Sequence, residues 1–131
     1  MDHSLAAYLD DFTRRDWQTL DPEDVDDPVR IAVVGLGWFA RAWALPGIAR
    51  SGFTEATVVT DTDADAVAAV TDDRDVRGVT PAEFRAGAVE DAYDAVYVAT
   101  PNATHLEYVE AAAAQGKAVL CEKPVEASLE R

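Results

Sequence analysis

Short apolar runs alternate with amphipathic stretches along most of the chain. The apolar runs are typical of strands buried in a parallel sheet, and they lie at 31–34, 55–60, 76–79, 94–99 and 117–121. Between them, the spacing of apolar positions predicts helices over about 39–51, 63–71 and 101–114, and a capping-box pattern predicts another that opens at 80–83. Alternating strands and helices require right-handed crossovers. The pattern therefore predicts an α/β fold, a doubly wound parallel sheet of the Rossmann type.

Residues 1–28 form an acidic extension before the first strand. Ser4 and the helical spacing after it predict a short capped helix, and Pro22 and Pro28 bracket an extended linker. We expect the apolar side chains of this extension to cover a hydrophobic surface and to carry no chemistry. They are Leu5, Tyr8, Leu9, Phe12, Trp17 and Leu20.

The first apolar run leads directly into a glycine-rich turn of the form Gly-x-Gly-x-x-Ala. Gly35 lets the chain turn out of the strand, Gly37 leaves space for phosphates, and Ala40 lets the helix pack closely on the strand. The N–H groups of residues 36–39 would face a pyrophosphate, although a plain strand-to-helix turn is the alternative. The cofactor-binding residues predicted here are Gly35, Leu36, Gly37, Trp38, Phe39 and Ala40.

An acid follows the second predicted strand. Asp61 lies 26 positions after Gly35, near the separation of about 20 residues expected of a ribose-binding carboxylate. Such a carboxylate accepts hydrogen bonds from both ribose hydroxyls and repels a 2′-phosphate. No arginine directly follows it to offset that repulsion. Asp61 therefore predicts NAD as the cofactor, with NADP as the alternative, and it could also serve to cap the next helix.

The formal net charge of −14 comes from 25 acidic and 11 basic residues, and the acids are spread over nearly every predicted loop. This spread predicts a hydrated surface of the kind found in halophilic proteins. Nothing resembles a basic stripe, so nucleic-acid binding is disfavoured. No apolar run approaches the length of about 20 residues that a membrane span requires.

The single cysteine, Cys121, excludes an internal disulfide framework and indicates a reducing, cytoplasmic location. The N-terminus is acidic and does not have the basic and apolar segments of a secretory signal. Cys121 lies in a predicted buried strand, which favours a packing role over a reactive thiol. We expect no metal site.

Polar groups follow four of the predicted strands, at 35–37, 60–61, 100–102 and 122–124. Because the carboxyl ends of parallel strands share one edge of a sheet, we expect these segments to meet there. Ligands of open α/β sheets bind at this edge. The sequence therefore predicts one site built from all four segments.

Several motifs together resemble the glucose–fructose oxidoreductase and inositol dehydrogenase (Gfo/Idh/MocA) family. They are Gly-Leu-Gly-Trp-Phe-Ala at 35–40, Asp61, Ala-Thr-Pro-Asn at 99–102 with His105, and Cys-Glu-Lys-Pro at 121–124. The resemblance covers about residue 29 to the end. The acidic extension resembles more closely the haloarchaeal members that oxidise D-xylose. Those members use NADP, a pattern from which Asp61 departs.

The resemblance implies that Lys123 is the active-site lysine, which contacts the substrate hydroxyl and the nicotinamide end of the cofactor and helps to move a proton. A surface lysine at the end of a strand is the alternative. It implies that Thr100, Pro101 and Asn102 line the nicotinamide half of the cofactor. His105 is then a cofactor neighbour, a packing residue or a catalytic group. Glu122 is implied to contact the cofactor or to pair with Lys123, and the remaining residue of that motif, Pro124, to form a turn.

The resemblance also implies a cofactor domain at 29–124, followed by a helix that begins at 125–131 and leads to a second, substrate-binding α/β domain outside this chain. The function expected is hydride transfer between NAD(P) and a sugar or polyol, such as xylose or glucose, in a homo-oligomer. We expect the 131-residue chain alone to be inactive. A dinucleotide-binding module or redox sensor without catalysis, and a non-binding partner subunit, are the alternatives.

Overall fold

A five-stranded parallel sheet is the centre of the fold in the computed structural model, which describes residues 4–15 and 21–124. The strand order is β3-β2-β1-β4-β5. The strands are β1 (Val29–Val34), β2 (Thr54–Thr60), β3 (Arg77–Val79), β4 (Ala95–Val98) and β5 (Ala118–Cys121). This architecture confirms the predicted Rossmann-type sheet, and each predicted strand is present within one or two residues at either end.

The helices are α1 (Leu5–Arg14), α2 (a π-helical segment Ala40–Ala44 continuing as the α-helix Leu45–Arg50), α3 (Ala64–Asp73), α4 (Pro81–Arg85) and α5 (His105–Ala114). The helices from α2 onward cover the two faces of the sheet, and α1 precedes it along the chain. Single 3₁₀ turns lie at Pro22–Asp24, Glu90–Ala92 and Asn102–Thr104. The predicted capping box opens α4, with Thr80 and Glu83 each bonding the other's backbone N–H.

The π-helical segment of α2 was not predicted. The N–H of Leu45 donates to the carbonyl of Ala40, five residues earlier. Pro46 follows at once, and its ring lacks an N–H and crowds the carbonyl four residues before it. We attribute the wider turn to this proline, since π-bulges accommodate such crowding within a continuous helix.

Two apolar clusters hold the layers together, one on each face of the sheet. On one face, Phe84 of α4 stacks on Tyr93 with ring centroids 5.6 Å apart, and Tyr108 of α5 packs against Phe84. On the other face, Leu45 of α2 and Val70 of α3 pack over β1 and β2. Burying each such side chain stabilises the fold by roughly 1.5–3 kcal/mol, so these two clusters dominate stability.

The ends of adjacent strands are in register. Val34 of β1 pairs with Thr60 of β2 and with Val98 of β4, and Val98 pairs with Cys121 of β5. The residues that follow each strand therefore emerge at one edge of the sheet. This arrangement agrees with the prediction of a common edge.

The amino edge of the sheet is tied by paired polar groups. Arg30 donates to both carboxylate oxygens of Asp94 at 2.7 and 3.1 Å and to the carbonyl of Asp91 at 2.9 Å. These hydrogen bonds hold the pKa of Asp94 at about 2, below its ordinary value of 3.8. The ammonium of Lys117 donates to the carbonyl of Tyr93 at 2.9 Å. The starts of β1, β4 and β5 are thus held together.

The structure bears on two predictions about packing. The helix α1 does form, capped by Ser4, but no α1 side chain is buried, and Leu5 and Tyr8 are 73% and 60% exposed. Leu5 and Tyr8 therefore do not cover the hydrophobic surface that we expected. Cys121 lies on the edge strand β5 and is half-buried against the cluster that contains Phe84, which agrees with a packing role. Trp17, Leu20 and the helix predicted at 125–131 lie outside the described residues.

No helix in the described part of the chain is long and apolar enough to cross a membrane.

Candidate functional site

A cleft of about 660 Å³ opens at the carboxyl edge of the sheet. The glycine turn after β1, the end of β2, the loop after β4 and the facing sides of α4 and α5 form its walls. The lining residues are Val34, Gly35, Gly37, Trp38, Phe39, Thr60, Asp61, Thr62, Pro81, Arg85, Ala99, Thr100, Pro101, Thr104, Glu107 and Tyr108. Three of the four predicted segments meet in this cleft.

The two glycines of the turn have different surroundings. Gly35 has φ +92°, and a Cβ there would lie 2.7 Å from backbone atoms of Ala99 and Thr100. Its N–H donates to the carbonyl of Thr60 at 2.9 Å. Gly37 has no atom within 4 Å of an added Cβ, so its missing side chain leaves open space in the cleft. This difference agrees with the separate roles that the sequence predicts for Gly35 and Gly37.

Leu36 differs from its prediction. Its N–H donates to Oδ2 of Asp61 at 2.6 Å, and its side chain is buried in the core. The N–H of Leu36 is therefore not free to bind a pyrophosphate, and its side chain does not line the cleft. The N–H groups of residues 37–39 remain, since the first N–H groups of a helix have no acceptor within it. No side chain caps the π-helical segment at Phe39.

The carboxylate of Asp61 is held by the backbone on both sides. Oδ2 accepts from Leu36, and Oδ1 accepts from the N–H of Asp63 at 2.8 Å. The cap of α3 is Asp63, which accepts from Asp65 and Ala66. Asp61 thus links the ends of β1 and β2 at the cleft wall, a role that its position in the sequence did not indicate.

The other residues of the turn are either exposed at the cleft or buried in the core. Trp38 and Phe39 line the cleft and are 71% and 47% exposed. Ala40 is buried against the sheet, which agrees with the predicted close approach of helix to strand.

Two buried hydroxyl groups in the cleft have no hydrogen-bond partner among the described residues. They are Oγ1 of Thr60, whose residue is fully buried, and Oγ1 of Thr100. Buried polar groups in native proteins are nearly always paired, so an unpaired hydroxyl in a cleft indicates a place for a water or ligand. Thr60 was not predicted as a site residue. Its place just before Asp61, at the end of β2, was the available signal.

Arg85 is a second residue that the sequence did not predict for the site. Its guanidinium carbon lies 5.6 Å from the ring centre of Tyr108, and Nη1 lies 3.8 Å from a carboxylate oxygen of Glu107. Burial raises the pKa of Tyr108 above its ordinary value. Arg85 is the one cationic side chain among the residues that line the cleft. It therefore gives one wall of this acidic protein a local positive charge.

The predicted site residues in the loop after β4 differ in whether they line the cleft. Pro101 lines the cleft, whereas Asn102 is exposed, begins a 3₁₀ turn and does not line it. His105 is buried beneath the loop, with Nε2 2.6 Å from the carbonyl of Thr100 and Nδ1 2.6 Å from the carbonyl of Pro124. Because carbonyl groups occupy both ring nitrogens, His105 is not placed to contact a cofactor directly, and its burial agrees with the packing role that the sequence left open.

The fourth predicted segment, which follows β5, is not among the residues that line the cleft. Glu122 accepts a hydrogen bond from the hydroxyl of Tyr97, and not from Lys123, and its N–H donates to the carbonyl of Val98 at 2.9 Å. Burial and this bond raise the pKa of Tyr97. Lys123 and Pro124 are exposed and joined by a cis peptide bond. Within residues 4–15 and 21–124, the ammonium of Lys123 has neither a hydrogen-bond nor an ion-pair partner.

Comparison with known proteins gives a family for this arrangement. The family model for Gfo/Idh/MocA, an oxidoreductase family with an NAD-binding Rossmann fold, matches residues 29–131. A D-xylose 1-dehydrogenase [NADP(+)] from Haloarcula marismortui is 47% identical over 98% of this chain and 36% of its own length. An inositol 2-dehydrogenase from Rhizobium meliloti is 36% identical over 79% of this chain and 30% of its own length.

Solved structures give the same result. A 3-ketoreductase from Actinomadura kijaniata, in complex with TDP-benzene and NADP, has a TM-score of 0.68 and 32% identity over 76% of this chain and 31% of its own. The scyllo-inositol dehydrogenase from Lactobacillus casei, with bound NAD(H) and scyllo-inositol, has a TM-score of 0.71 and 25% identity over 79% of this chain and 30% of its own. The chain spans about a third of the length of these relatives.

Proposed function

Because the chain belongs to the Gfo/Idh/MocA oxidoreductase family, we propose that its cleft binds a nicotinamide dinucleotide and serves a sugar or polyol dehydrogenase. One observation carries the proposal. The space left by Gly37 opens into the cleft beside N–H groups that begin a helix, as a pyrophosphate requires. The named substrates of relatives, among them D-xylose and inositol, support a polyhydroxylated substrate.

In this proposal each wall of the cleft has a separate task. The N–H groups of residues 37–39 bind the pyrophosphate, and the free hydroxyls of Thr60 and Thr100 donate to ligand oxygens. Lys123 contacts the substrate hydroxyl: its neutral amine would accept the hydroxyl proton on oxidation, and its ammonium would return a proton on reduction. The bound dinucleotide supplies the hydride acceptor, while the protein supplies position and charge.

Binding of a dinucleotide is tested by a substitution that fills the phosphate space. Gly37→Val should abolish the fluorescence change on titration with NADH or NADPH, because its side chain occupies the open cleft while the backbone needs no adjustment. The matched control is Gly47→Val, within α2, where an added Cβ also meets no atom within 4 Å. If Gly37→Val binds as well as the parent, the motif is only a turn.

For the choice of coenzyme, we propose NAD on the charge of Asp61, which faces the cleft and would repel a 2′-phosphate. NADP is the second candidate. Arg85 supplies a cation to the same cleft, and the relative that is 47% identical is named for NADP.

Paired titrations with NADH and NADPH distinguish these two. Asp61→Asn keeps an oxygen that accepts from Leu36 and removes the charge, so it should improve NADPH binding relative to NADH. Arg85→Gln should leave the ratio of the NADPH and NADH affinities unchanged if NAD is the coenzyme. A parent chain that prefers NADPH, with the preference lost in Arg85→Gln, would overturn the assignment to NAD.

The catalytic role of Lys123 is tested in a dehydrogenase that contains these residues. Lys123→Ala should abolish turnover of a panel of aldoses and polyols while dinucleotide affinity stays unchanged. Lys117→Ala is the control, since that lysine lies at the amino edge. Equal turnover in Lys123→Ala and the parent would exclude Lys123 from proton transfer.

We also propose a cytoplasmic homo-oligomer adapted to high salt. The free, half-buried Cys121 fits a reducing compartment, and the net charge of −14 matches the haloarchaeal source of the relative. The melting temperature should rise between 0.01 and 1 M salt, as the Debye length falls from about 30 to about 3 Å. A melting temperature that does not change with salt would contradict the adaptation to high salt. Light scattering measures the oligomeric state.

A further inference from the structure

His105 is buried at the first position of α5, and its ring spans two loops. Nε2 lies 2.6 Å from the carbonyl oxygen of Thr100, in the loop after β4. Nδ1 lies 2.6 Å from the carbonyl oxygen of Pro124, in the segment after β5. One side chain therefore joins the two loops that follow neighbouring strands at the carboxyl edge.

The chemistry of these contacts makes the ring a donor. Carbonyl oxygens only accept hydrogen bonds, so a ring nitrogen satisfies such a contact only when it carries a proton. An imidazolium donates through both nitrogens, and a neutral ring donates through one. In a buried site each unmade hydrogen bond is costly, because no water replaces the missing partner. The two carbonyl groups thus hold the ring, and the ring holds the two loops.

Lys123 lies between two anchored neighbours. On one side Glu122 is fixed through its N–H to the carbonyl of Val98 and through its carboxylate to Tyr97. On the other side Pro124 is fixed through its carbonyl to His105. The side chain of Lys123 itself has no hydrogen-bond or ion-pair anchor in the described part of the chain. The place of Lys123 therefore depends on these two backbone anchors.

We propose that His105 is a positioning residue, which binds the carbonyl groups of Thr100 and Pro124 and thereby sets the place of Lys123 at the carboxyl edge of the sheet. The functional meaning of that place rests on the proposed function, in which Lys123 acts on the substrate. The same ring fixes the backbone of Thr100, whose free hydroxyl lies in the cleft. His105 thus acts through both neighbours without touching a ligand.

The test uses the two lysines of the 131-residue chain as reporters. Reductive ¹³C-methylation labels Lys117 and Lys123, and Lys117 is an internal control because its ammonium bonds Tyr93 at the opposite edge. In the parent, NADH or NADPH should shift the Lys123 resonance and leave Lys117 in place. His105→Phe fills the space without a donor, and it should move the free-state Lys123 resonance and reduce its shift on binding.

His105→Gln keeps one donor and should restore part of the parental Lys123 signal, which a residue that only fills space would not require. If Lys123 gives the parental resonances in a folded His105→Phe chain, with and without dinucleotide, the proposal is wrong. If no dinucleotide binds to the parent, the proposed function fails. The free-state resonance of Lys123 still tests the role of His105 in that case.

A second measurement applies if His105→Phe does not fold, as loss of the Lys117 signal would show. For this measurement the chain is labelled with ¹⁵N-histidine and its lysines are not methylated. The chain has two histidines, and the substitution His3→Ala removes one, so that the remaining signals belong to His105. We expect a ring N–H proton that is protected from exchange, because the carbonyl groups of Thr100 and Pro124 accept hydrogen bonds from the ring. A ring that exchanges freely and averages between tautomers would overturn the proposal.

Discussion

The two edges of the sheet differ in their polar groups, because only the carboxyl edge has buried hydroxyls without a partner among the described residues. At the amino edge, Arg30 and Asp94 bond each other and Lys117 bonds a carbonyl, so the charged groups there have partners. At the carboxyl edge, the hydroxyls of Thr60 and Thr100 have none among the described residues. The same strands begin at one edge and end at the other.

This contrast separates stability from binding. A polar group paired within the fold stabilises it, whereas one left unpaired in a cleft costs stability until a ligand pairs with it. The amino edge therefore contributes to the stability of the domain, and the unpaired hydroxyls of the carboxyl edge are where the proposed ligand would bind. Substitutions at comparable positions on the two edges of the sheet test whether stability and binding are separated in this way.

The largest effect is expected for Gly35→Ala. Its Cβ would lie 2.7 Å from backbone atoms of Ala99 and Thr100 in addition to the positive φ, so we expect a loss of about 3 kcal/mol in the free energy of unfolding. Gly116→Ala, with φ +69° and no atom within 4 Å, should lose only about 1–2 kcal/mol. Urea denaturation measures both. Equal losses would show that the carboxyl edge is not closely packed at Gly35.

Two threonines of β2 compare a paired and an unpaired hydroxyl directly. Thr57 donates to the carbonyl of Ala92 at 2.7 Å, so Thr57→Val should destabilise the fold by about 1 kcal/mol. Thr60→Val removes an unpaired buried hydroxyl and should raise the stability by up to about 1 kcal/mol while weakening dinucleotide binding. A stability loss in Thr60→Val would mean that its hydroxyl is paired within the protein.

The smallest effect is expected at the amino edge, in Asp94→Asn, since the ion pair with Arg30 is partly exposed. The folded pKa of Asp94 is about 2, below its ordinary 3.8, so its carboxylate stabilises the fold above about pH 4. That contribution disappears as the pH falls from about 4 to about 2. The melting temperatures of Asp94→Asn and the parent should therefore differ at neutral pH and converge near pH 2. A difference that persists in acid would require another cause.

Predictions from local pattern agree with the structure. The strands, the capping box at Thr80 and the positive φ of Gly35 follow from residue type and spacing over a few positions. The π-helical turn of α2 was not predicted, although Pro46 is in the sequence. A proline in a helix can produce a break, a kink or a bulge. Sequence spacing did not choose among these outcomes.

The sequence by itself determined the order of strands and helices, the glycine turn and the edge at which polar segments gather. Periodicity, β-branching and glycine act over short distances, so they are readable along the chain. Only the tertiary structure decided the partners: Asp61 with Leu36, Tyr97 with Glu122, and His105 with Thr100 and Pro124. Apart from the link between His105 and Thr100, these contacts join residues 19 to 25 positions apart, and a hydrogen bond between distant residues depends on angles and distances that only the packed sheet defines.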